Sequence, residues 1–231
     1  RGYHPRMDAL PDFPTESGPL LVPGPAGQIE LMVDLPEDGQ ERAGVAIICH
    51  PNPPEGGTLH NKVVTMTARA LSELGLAAVR FNFRGVGKSE GEWDEGRGEI
   101  LDLLAVADWV RKSRPDDALW LAGFSFGSWV ALQGARQLPV KQMISIAPPV
   151  GLRAFDGVMP PACPWLVVMP EADEIVDPQA VYDWVDTLDP APAMVRMPDT
   201  SHFFHRKLID LRGAITHGVK RWLPLQADPA A

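Results

Sequence analysis

The stretch Gly123-Phe124-Ser125-Phe126-Gly127 decides how this chain folds. It follows a short apolar segment, residues 118–122, and precedes residues 128–136, which have the spacing of a helix. A serine flanked by glycines, at a turn from a strand into a helix, is the pattern of a nucleophile elbow. The turn is so sharp that a side chain at either glycine would strike the adjoining strand or helix. We therefore predict that Ser125 is a nucleophile, with its hydroxyl beside the positive end of the helix.

The composition of the chain limits the classes of protein it can belong to. Its 231 residues, 45% of them hydrophobic, suit one large α/β domain. The net charge of -9 disfavours a nucleic-acid or anionic lipid surface, and no apolar run approaches the ~18 residues of a membrane span. The chain shows no apolar signal segment, and Cys49 and Cys163 lie in apolar segments typical of free buried thiols. We expect a cytoplasmic protein without nucleic-acid or membrane partners, and its oligomeric state stays open.

Strand-like and helix-like segments alternate along the chain, which predicts a doubly wound, mostly parallel sheet of about seven to eight strands. Residues 7–27 are interpreted as an irregular lead-in with an edge strand near 20–22. No linker divides the chain, so residues 7–223 are expected to form one domain. Residues 1–6, before Met7, are interpreted as a vector-derived or unstructured extension, and residues 224–231 as a flexible tail. The remaining predicted strands are 29–35, 44–49, 76–83, 118–122, 140–147, 165–169 and 193–197; the predicted helices are 61–74, 99–112, 128–136, 181–188 and 205–222.

A serine nucleophile requires a general base, and His202 is the best candidate. Ligands of such a sheet collect at the carboxyl ends of the strands, and His202 lies in the loop that follows the strand at 193–197. His205 is the obvious competitor, but it lies where the final helix is predicted to have begun, so its side chain is expected to leave the loop. The order serine, acid, histidine along the chain is the order that an elbow fold requires.

The base in turn requires an acidic partner, and four carboxylates follow the strand at 165–169. Asp173 is the best choice because it lies in the middle of the loop. Asp177 directly precedes a proline and is predicted to cap the next helix. Glu171 and Glu174 are expected to be solvated. The sequence therefore predicts Ser125, Asp173 and His202 as the catalytic set.

Backbone N–H groups must also stabilise the negative charge that develops on the substrate. One donor is expected from Phe126, the residue after the nucleophile. The second is expected from the loop after the strand at 44–49, where the prolines at 51, 53 and 54 have no N–H, so Asn52 is the only backbone donor in that stretch. His50 is predicted to support this loop rather than to react.

No cofactor is expected from the remaining motifs. Gly87-Lys88-Ser89 looks like the end of a phosphate-binding loop, but Asn82 stands where that motif requires glycine. His50 and His60 are ten residues apart without a nearby cysteine pair, which argues against a zinc site. We therefore predict neither a metal nor an organic cofactor.

The chain resembles the α/β-hydrolase superfamily over essentially its whole length, and most closely a bacterial group of small serine hydrolases within it. The resemblance rests on His50-Pro51, Gly56-Gly57 and Asn61-Lys62-Val63-Val64, on the run at 80–89 (RFNFRGVGKS), and on the elbow at 123–127. It implies an eight-stranded type of sheet, a Ser-His-Asp triad and esterase-like activity. Carried onto this chain, the triad is Ser125, Asp173 and His202. His50-Pro51 replaces the His-Gly of many esterases, and this departure bears on the identity of the oxyanion donor.

The segment 148–164 predicts an open site. Many hydrolases of this kind insert a helical lid here, but these 17 residues, rich in proline, hold at most one helical turn. An open site favours short, soluble substrates, so we expect a serine carboxylesterase acting on small esters through an acyl-enzyme on Ser125. An amidase, a peptidase or an acyltransferase with the same triad, and a non-catalytic binding protein on the same scaffold, are the alternatives.

Overall fold

The computed structural model describes residues 10–228, so the predictions for residues 1–6 and for 229–231 lie outside the described residues. One eight-stranded sheet runs through this part of the chain, in the order β1-β2-β4-β3-β5-β6-β7-β8. The strands are β1 (Gly18–Gly24), β2 (Gly27–Asp34), β3 (Gly44–Cys49), β4 (Ala77–Phe81), β5 (Ala118–Phe124), β6 (Val140–Ile146), β7 (Trp165–Pro170) and β8 (Ala193–Met197). The helices are α1 (Lys62–Glu73), α2 (Arg97–Ser113), α3 (Phe126–Ala135), α4 (Pro178–Asp186) and α5 (Leu208–Val219).

The sheet is mostly parallel, as the alternation of elements predicts. Strands β3 to β8 pair in parallel, whereas β1 pairs with β2, and β2 with β4, in antiparallel fashion. Every residue of β3, β4 and β7 is buried, since helices cover both faces of a parallel sheet. Helix α1 packs against α5, and α2 against α3. No helix among residues 10–228 is long and apolar enough to cross a membrane.

Side-chain caps begin two of the helices where the sequence changes from loop to helix. The Asn61 side chain accepts from the N–H groups of Val63 and Val64 at the start of α1. The Asp177 carboxylate accepts from the N–H of Gln179 at 3.0 Å, so the predicted cap of α4 is confirmed. These caps direct α1 and α4 away from the carboxyl ends of β3 and β7, and thus leave the preceding loops at one edge of the sheet.

Two segments near the ends of the described residues form more backbone pairing than the sequence predicts. The edge strand expected near residues 20–22 is β1, which is longer than expected and forms a hairpin with β2 at the edge of the sheet. Residues 225–227, which belong to the tail that the sequence predicts to be flexible, pair with residues 41–43 before β3. The N–H of Ala43 donates to the carbonyl of Leu225 at 2.8 Å, and that of Ala227 to Glu41 at 2.9 Å. These hydrogen bonds satisfy backbone groups that would otherwise be unpaired at the entrance to β3.

Segment 148–164 matches the prediction, whereas helix α5 begins later than predicted. Residues 148–164 contain turns and one isolated bridge but no helix, so the predicted absence of a lid is confirmed. Helix α5 begins at Leu208, three residues later than predicted, because Phe204 and Arg206 adopt left-handed conformations with φ of 55° and 60°. The loop between β8 and α5 is therefore longer than expected.

Candidate active site

Ser125 lies at the sharp turn between β5 and α3. Its φ of 53° and ψ of -122° place it in a strained region of the backbone map. A Cβ on Gly123 would lie 2.5 Å from the amide nitrogen of Ser128, and one on Gly127 would lie 2.5 Å from the carbonyl oxygen of His50. Both distances are shorter than any normal contact, so only glycine fits at either position. The turn thus has the close backbone approach that the sequence predicts.

The structure brings together the three residues of the predicted triad. The Nε2 atom of His202 lies 3.1 Å from the Oγ of Ser125, and its Nδ1 atom lies 2.6 Å from the Oδ2 of Asp173. His202 is 2% exposed and Asp173 9% exposed. Since an ionised carboxylate only accepts hydrogen bonds, Nδ1 of His202 carries the proton and Nε2 is free to accept from the Ser125 hydroxyl.

Asp173 is held in place through its second oxygen. Oδ1 accepts from the backbone N–H groups of Ile175 at 2.8 Å and Val176 at 2.7 Å. Both oxygens of this buried carboxylate therefore have partners, which fixes its plane and aims Oδ2 at the imidazole of His202. In the loop after β7, Asp173 is the only carboxylate that contacts a ring nitrogen of His202.

Two features of the His202 loop differ from the prediction. Glu174 is exposed as expected, but its Oε2 also accepts from the backbone N–H of His202 at 3.1 Å, so it ties the β7 loop to the β8 loop. His205 lies before α5 rather than inside it; its side chain is exposed and makes no contact with Ser125. Beneath the loop, the buried ring of Phe204 packs near Phe124, as does the imidazole of His202. The sequence around Glu174 carries no pattern that predicts its hydrogen bond, because the donor, the N–H of His202, lies on another loop.

The two predicted oxyanion donors belong to the start of α3 and to the loop after β3. Phe126 is the first residue of α3, so its N–H has no acceptor inside the helix. Asn52 lies in the loop that follows β3. Its carbonyl accepts from the N–H groups of Glu55 and Gly57, so this loop is tightly closed. Among the hydrogen bonds of residues 10–228, none uses the Asn52 N–H as a donor. Both amides are thus available to a ligand.

His50 supports this loop, as predicted. It is fully buried; its Nδ1–H donates to the carbonyl of Pro51 at 2.7 Å, and its Nε2 accepts from the N–H of Phe83 at 3.1 Å. Burial lowers the pKa of His50 to about 4. The imidazole is therefore neutral near pH 7, and it links the loop after β3 to the end of β4.

Arg153 is a further residue near the elbow that the sequence does not point to. Its guanidinium lies 4.7 Å from the ring centre of Phe126 and 4.8 Å from that of Trp129, and it donates to the carbonyl of Glu95 at 3.0 Å. Burial lowers the pKa of Arg153 from its usual value. This side chain fastens the short 148–164 segment to the first turn of α3.

A small cleft of about 70 Å³ opens at Ser125. Hollows of about 400 to 650 Å³ occur elsewhere on the surface, but none of their lining residues belongs to the predicted site. The smaller cleft is the candidate site, since Ser125 and His202, the predicted nucleophile and base, both line it. The residues around the cleft are Pro51, Asn52, Glu55, Gly56, Gly57, Asn61, Ser125, Ile175, His202 and Phe203.

The other candidate groups contribute no site of their own. Within residues 10–228, no cluster of three or more His, Cys, Asp or Glu side chains is arranged to hold a metal ion. Both cysteines are free; Cys49 is buried and Cys163 is half-buried. Burial raises the pKa of the Cys163 thiol to about 11 and that of Cys49 still further, so neither thiol is a nucleophile at neutral pH.

Comparison with known proteins gives consistent matches. A family model described as the alpha/beta hydrolase fold matches residues 47–167. A crystal structure from Xanthomonas campestris, described as an α/β serine hydrolase without a lid, is 61% identical with a TM-score of 0.90, and the match covers 95% of this chain and 100% of that one. An α/β serine hydrolase homologue from Coxiella burnetii is 46% identical with a TM-score of 0.84, covering 89% and 97%. An uncharacterised protein of Rickettsia prowazekii is 32% identical over 202 residues, which is 83% of this chain and 84% of its own. The Est1E protein of Butyrivibrio proteoclasticus, solved with ferulic acid, is 21% identical with a TM-score of 0.74 over 84% and 95%, a likeness of fold alone.

Proposed function

Since this chain belongs to the α/β-hydrolase family, we propose that it is a serine carboxylesterase that cleaves small esters through an acyl-enzyme on Ser125. The observation that carries the proposal is the chain of hydrogen bonds from the Oγ of Ser125 through His202 to Asp173, with distances of 3.1 and 2.6 Å. Both distances lie within hydrogen-bond reach, which a nucleophile and its base require.

The first half of the reaction forms the acyl-enzyme. The Oγ of Ser125 attacks the ester carbonyl carbon while its proton moves to Nε2 of His202. Asp173 stabilises the imidazolium through Nδ1–H. The tetrahedral intermediate then collapses: the bond from the carbonyl carbon to the alcohol oxygen breaks, and the departing alcohol takes the proton from Nε2.

The second half of the reaction repeats these steps with water. Water gives its proton to Nε2 of His202 as its oxygen attacks the acyl carbon. The bond to the Oγ of Ser125 then breaks, the serine recovers the proton, and the carboxylic acid leaves. In both halves the oxyanion lies against the N–H groups of Phe126 and Asn52. Loss of one such donor costs ~2.7–4 kcal/mol of transition-state stabilisation in a comparable site.

The openness of the site favours hydrolysis over acyl transfer. Segment 148–164 places no helix over Ser125, so water reaches the acyl-enzyme freely. An acyltransferase must instead exclude water from its intermediate. The small cleft also favours short groups on at least one side of the ester. These features support a hydrolase for small, soluble esters.

The proposal is tested by covalent labelling together with turnover. We expect a fluorophosphonate probe to label the wild type and a Ser72→Ala control, whose serine lies on α1 away from the site, but not Ser125→Ala. Hydrolysis of 4-nitrophenyl acetate should follow the same pattern, and Asp173→Asn should lower kcat by about 10⁴-fold if it acts as in other triads. Wild-type labelling of Ser125→Ala would overturn the mechanism. Faster turnover of the matching 4-nitroanilide would show an amidase instead.

A further inference from the structure

The cleft at Ser125 has two unlike walls. On one side lie Ile175 and Phe203, two apolar side chains that are 42% and 47% exposed. On the other side lie Asn52, Glu55 and Asn61, together with glycine backbone. An apolar group of the substrate is matched by the first wall. The second wall is suited to a group that forms hydrogen bonds.

The polar wall carries unused hydrogen-bonding capacity. The Oδ1 atom of Asn52 is buried and has no hydrogen-bond partner in the described chain. Glu55 is exposed, and no ion pair or side-chain hydrogen bond joins it to residues 10–228. A buried acceptor without a donor is costly, because it has lost water and gained nothing in return. A substrate group that donates to Asn52 Oδ1 removes this cost.

Asn61 adds the opposite capacity to the same wall. Its Oδ1 already accepts from the N–H groups of Val63 and Val64, at 2.9 and 3.2 Å. The amide group Nδ2–H₂ of Asn61 is therefore the part that is left to interact with a ligand, and it can only donate. The wall thus offers acceptors on Asn52 and Glu55, and amide donors on Asn61 and Asn52.

We propose that the substrates are hydroxylated esters, in which a hydroxyl group near the ester bond donates to Asn52 Oδ1 and lies within reach of Glu55 and Asn61. This inference rests on the proposed function and names the substrate class of the same site. A hydroxyl donates one hydrogen and also accepts, so a single hydroxyl can satisfy Asn52 Oδ1 and an amide donor of the wall together, and a second hydroxyl can donate to Glu55. An ammonium group only donates and favours a cage of several Trp, Tyr or Phe rings, whereas Phe203 is the only residue of these three types in the cleft lining. The volume of about 70 Å³ restricts the enclosed part to a small group.

Matched esters test where the hydroxyl lies and whether it matters. We would compare kcat/KM for propyl butyrate, for 2,3-dihydroxypropyl butyrate, with the hydroxyls on the alcohol, and for propyl 3-hydroxybutyrate, with the hydroxyl on the acyl group. Butyrylcholine supplies the cationic comparison. We expect one of the hydroxylated esters to exceed propyl butyrate by about tenfold in kcat/KM, the gain typical of one hydrogen bond. Which ester gains identifies the side of the bond that faces Asn52.

Three variants link that preference to the polar wall. Asn52→Ala removes the side-chain oxygen but keeps the backbone N–H. Its effect is measured as the ratio of kcat/KM for the hydroxylated ester to kcat/KM for the plain ester, because a general loss of activity does not change this ratio. We expect this ratio to fall to about one in Asn52→Ala and to fall in part in Glu55→Gln. Glu37→Gln removes an exposed carboxylate before β3, at the opposite edge of the sheet, and should keep the wild-type ratio.

The outcomes separate this inference from the proposed function. If 4-nitrophenyl acetate is cleaved but neither hydroxylated ester is preferred, or if the preference survives in both Asn52→Ala and Glu55→Gln, the inference is wrong while the esterase mechanism stands. A preference for butyrylcholine alone would replace the hydroxyl with a cation. If no ester is cleaved and the fluorophosphonate does not label Ser125, the proposed function fails and the inference fails with it.

Discussion

Replacement of Gly127 by alanine tests the link between the packing of the elbow and its chemistry. The added Cβ would lie 2.5 Å from both the carbonyl carbon of Cys49 and the carbonyl oxygen of His50. Both neighbours are main-chain atoms, so no side-chain rotation relieves the overlap. Gly127 does not have a positive φ, and alanine is therefore acceptable to its backbone conformation. The steric overlap of the new Cβ with the main chain is therefore the only unfavourable effect that we expect of this substitution.

The size of the effect follows from two opposing contributions. Alanine in a helix is favoured over glycine by about 0.5–1 kcal/mol. Non-bonded carbon atoms settle at about 3.5–4.0 Å, so the overlap at Gly127 is about 1 Å, and overpacking of this kind costs about 1–3 kcal/mol or more. We expect Gly127→Ala to lower the free energy of unfolding by about 2 kcal/mol. The end of β3 must also move, with the loop of Asn52 behind it, and a 1 Å displacement at an active site costs about 100-fold in rate.

Gly213 provides the matched control, because it also lies in a helix but a Cβ there meets nothing within 4 Å. Gly213→Ala should raise the free energy of unfolding by about 0.5–1 kcal/mol and keep full activity. Urea unfolding followed by tryptophan fluorescence, with seven tryptophans in the chain, measures stability, and hydrolysis of 4-nitrophenyl acetate measures activity. If Gly127→Ala matches Gly213→Ala in both measurements, the close approach of α3 and β3 has no energetic role.

The remaining predictions concern His50, Arg153 and Cys163. Burial lowers the pKa of His50 from 6.5 to about 4. The stability that depends on its neutral form is therefore complete above pH 6.5 and is lost as pH falls towards 4. Between pH 7 and pH 5, the free energy of unfolding measured in urea should fall by about 2 kcal/mol more in the wild type than in His50→Asn. Arg153→Met removes the guanidinium from the rings of Phe126 and Trp129 and should lower the melting temperature, since each half-exposed contact of this kind contributes about 0.5–1 kcal/mol; an unchanged melting temperature would contradict this. Burial raises the pKa of Cys163 to about 11, so iodoacetamide at pH 8 should leave esterase activity intact, and rapid inactivation would show that a thiol takes part.

Local sequence patterns were sufficient for the elbow and for the order of the elements. A glycine–serine–glycine turn between an apolar run and a helical run restricts the backbone within a few residues, so Ser125 was identifiable without tertiary information. The carboxyl ends of parallel strands meet at one edge of the sheet. This rule placed Asp173 and His202 near the serine, and the structure puts them within hydrogen-bond distance. The prolines around Asn52 narrowed the loop donors in the same local way.

Contacts between distant segments were not predictable in this manner. Glu174 carries no local mark of its hydrogen bond to the backbone of His202, which lies on another loop. Arg153 belongs to a loop without regular structure, and its stacking on Phe126 depends on where that loop crosses α3. The pairing of residues 225–227 with residues 41–43 joins two segments far apart along the chain whose sequences show no complementary pattern. The start of α5 was misplaced because two non-glycine residues adopt left-handed conformations.

The amino-acid sequence by itself determined the strand–turn–helix at Ser125 and the alternation that builds a parallel sheet, because hydrophobic periodicity and turn chemistry act over a few neighbouring residues. It also determined the chain order of the serine, the carboxylate and the histidine that we propose as nucleophile, acid and base. The tertiary structure alone decided which polar atoms of the residues around the cleft have a partner and which, like Asn52 Oδ1, have none. Hydrogen-bond satisfaction depends on distances between segments far apart along the chain, and those distances exist only once the sheet and its helices have packed.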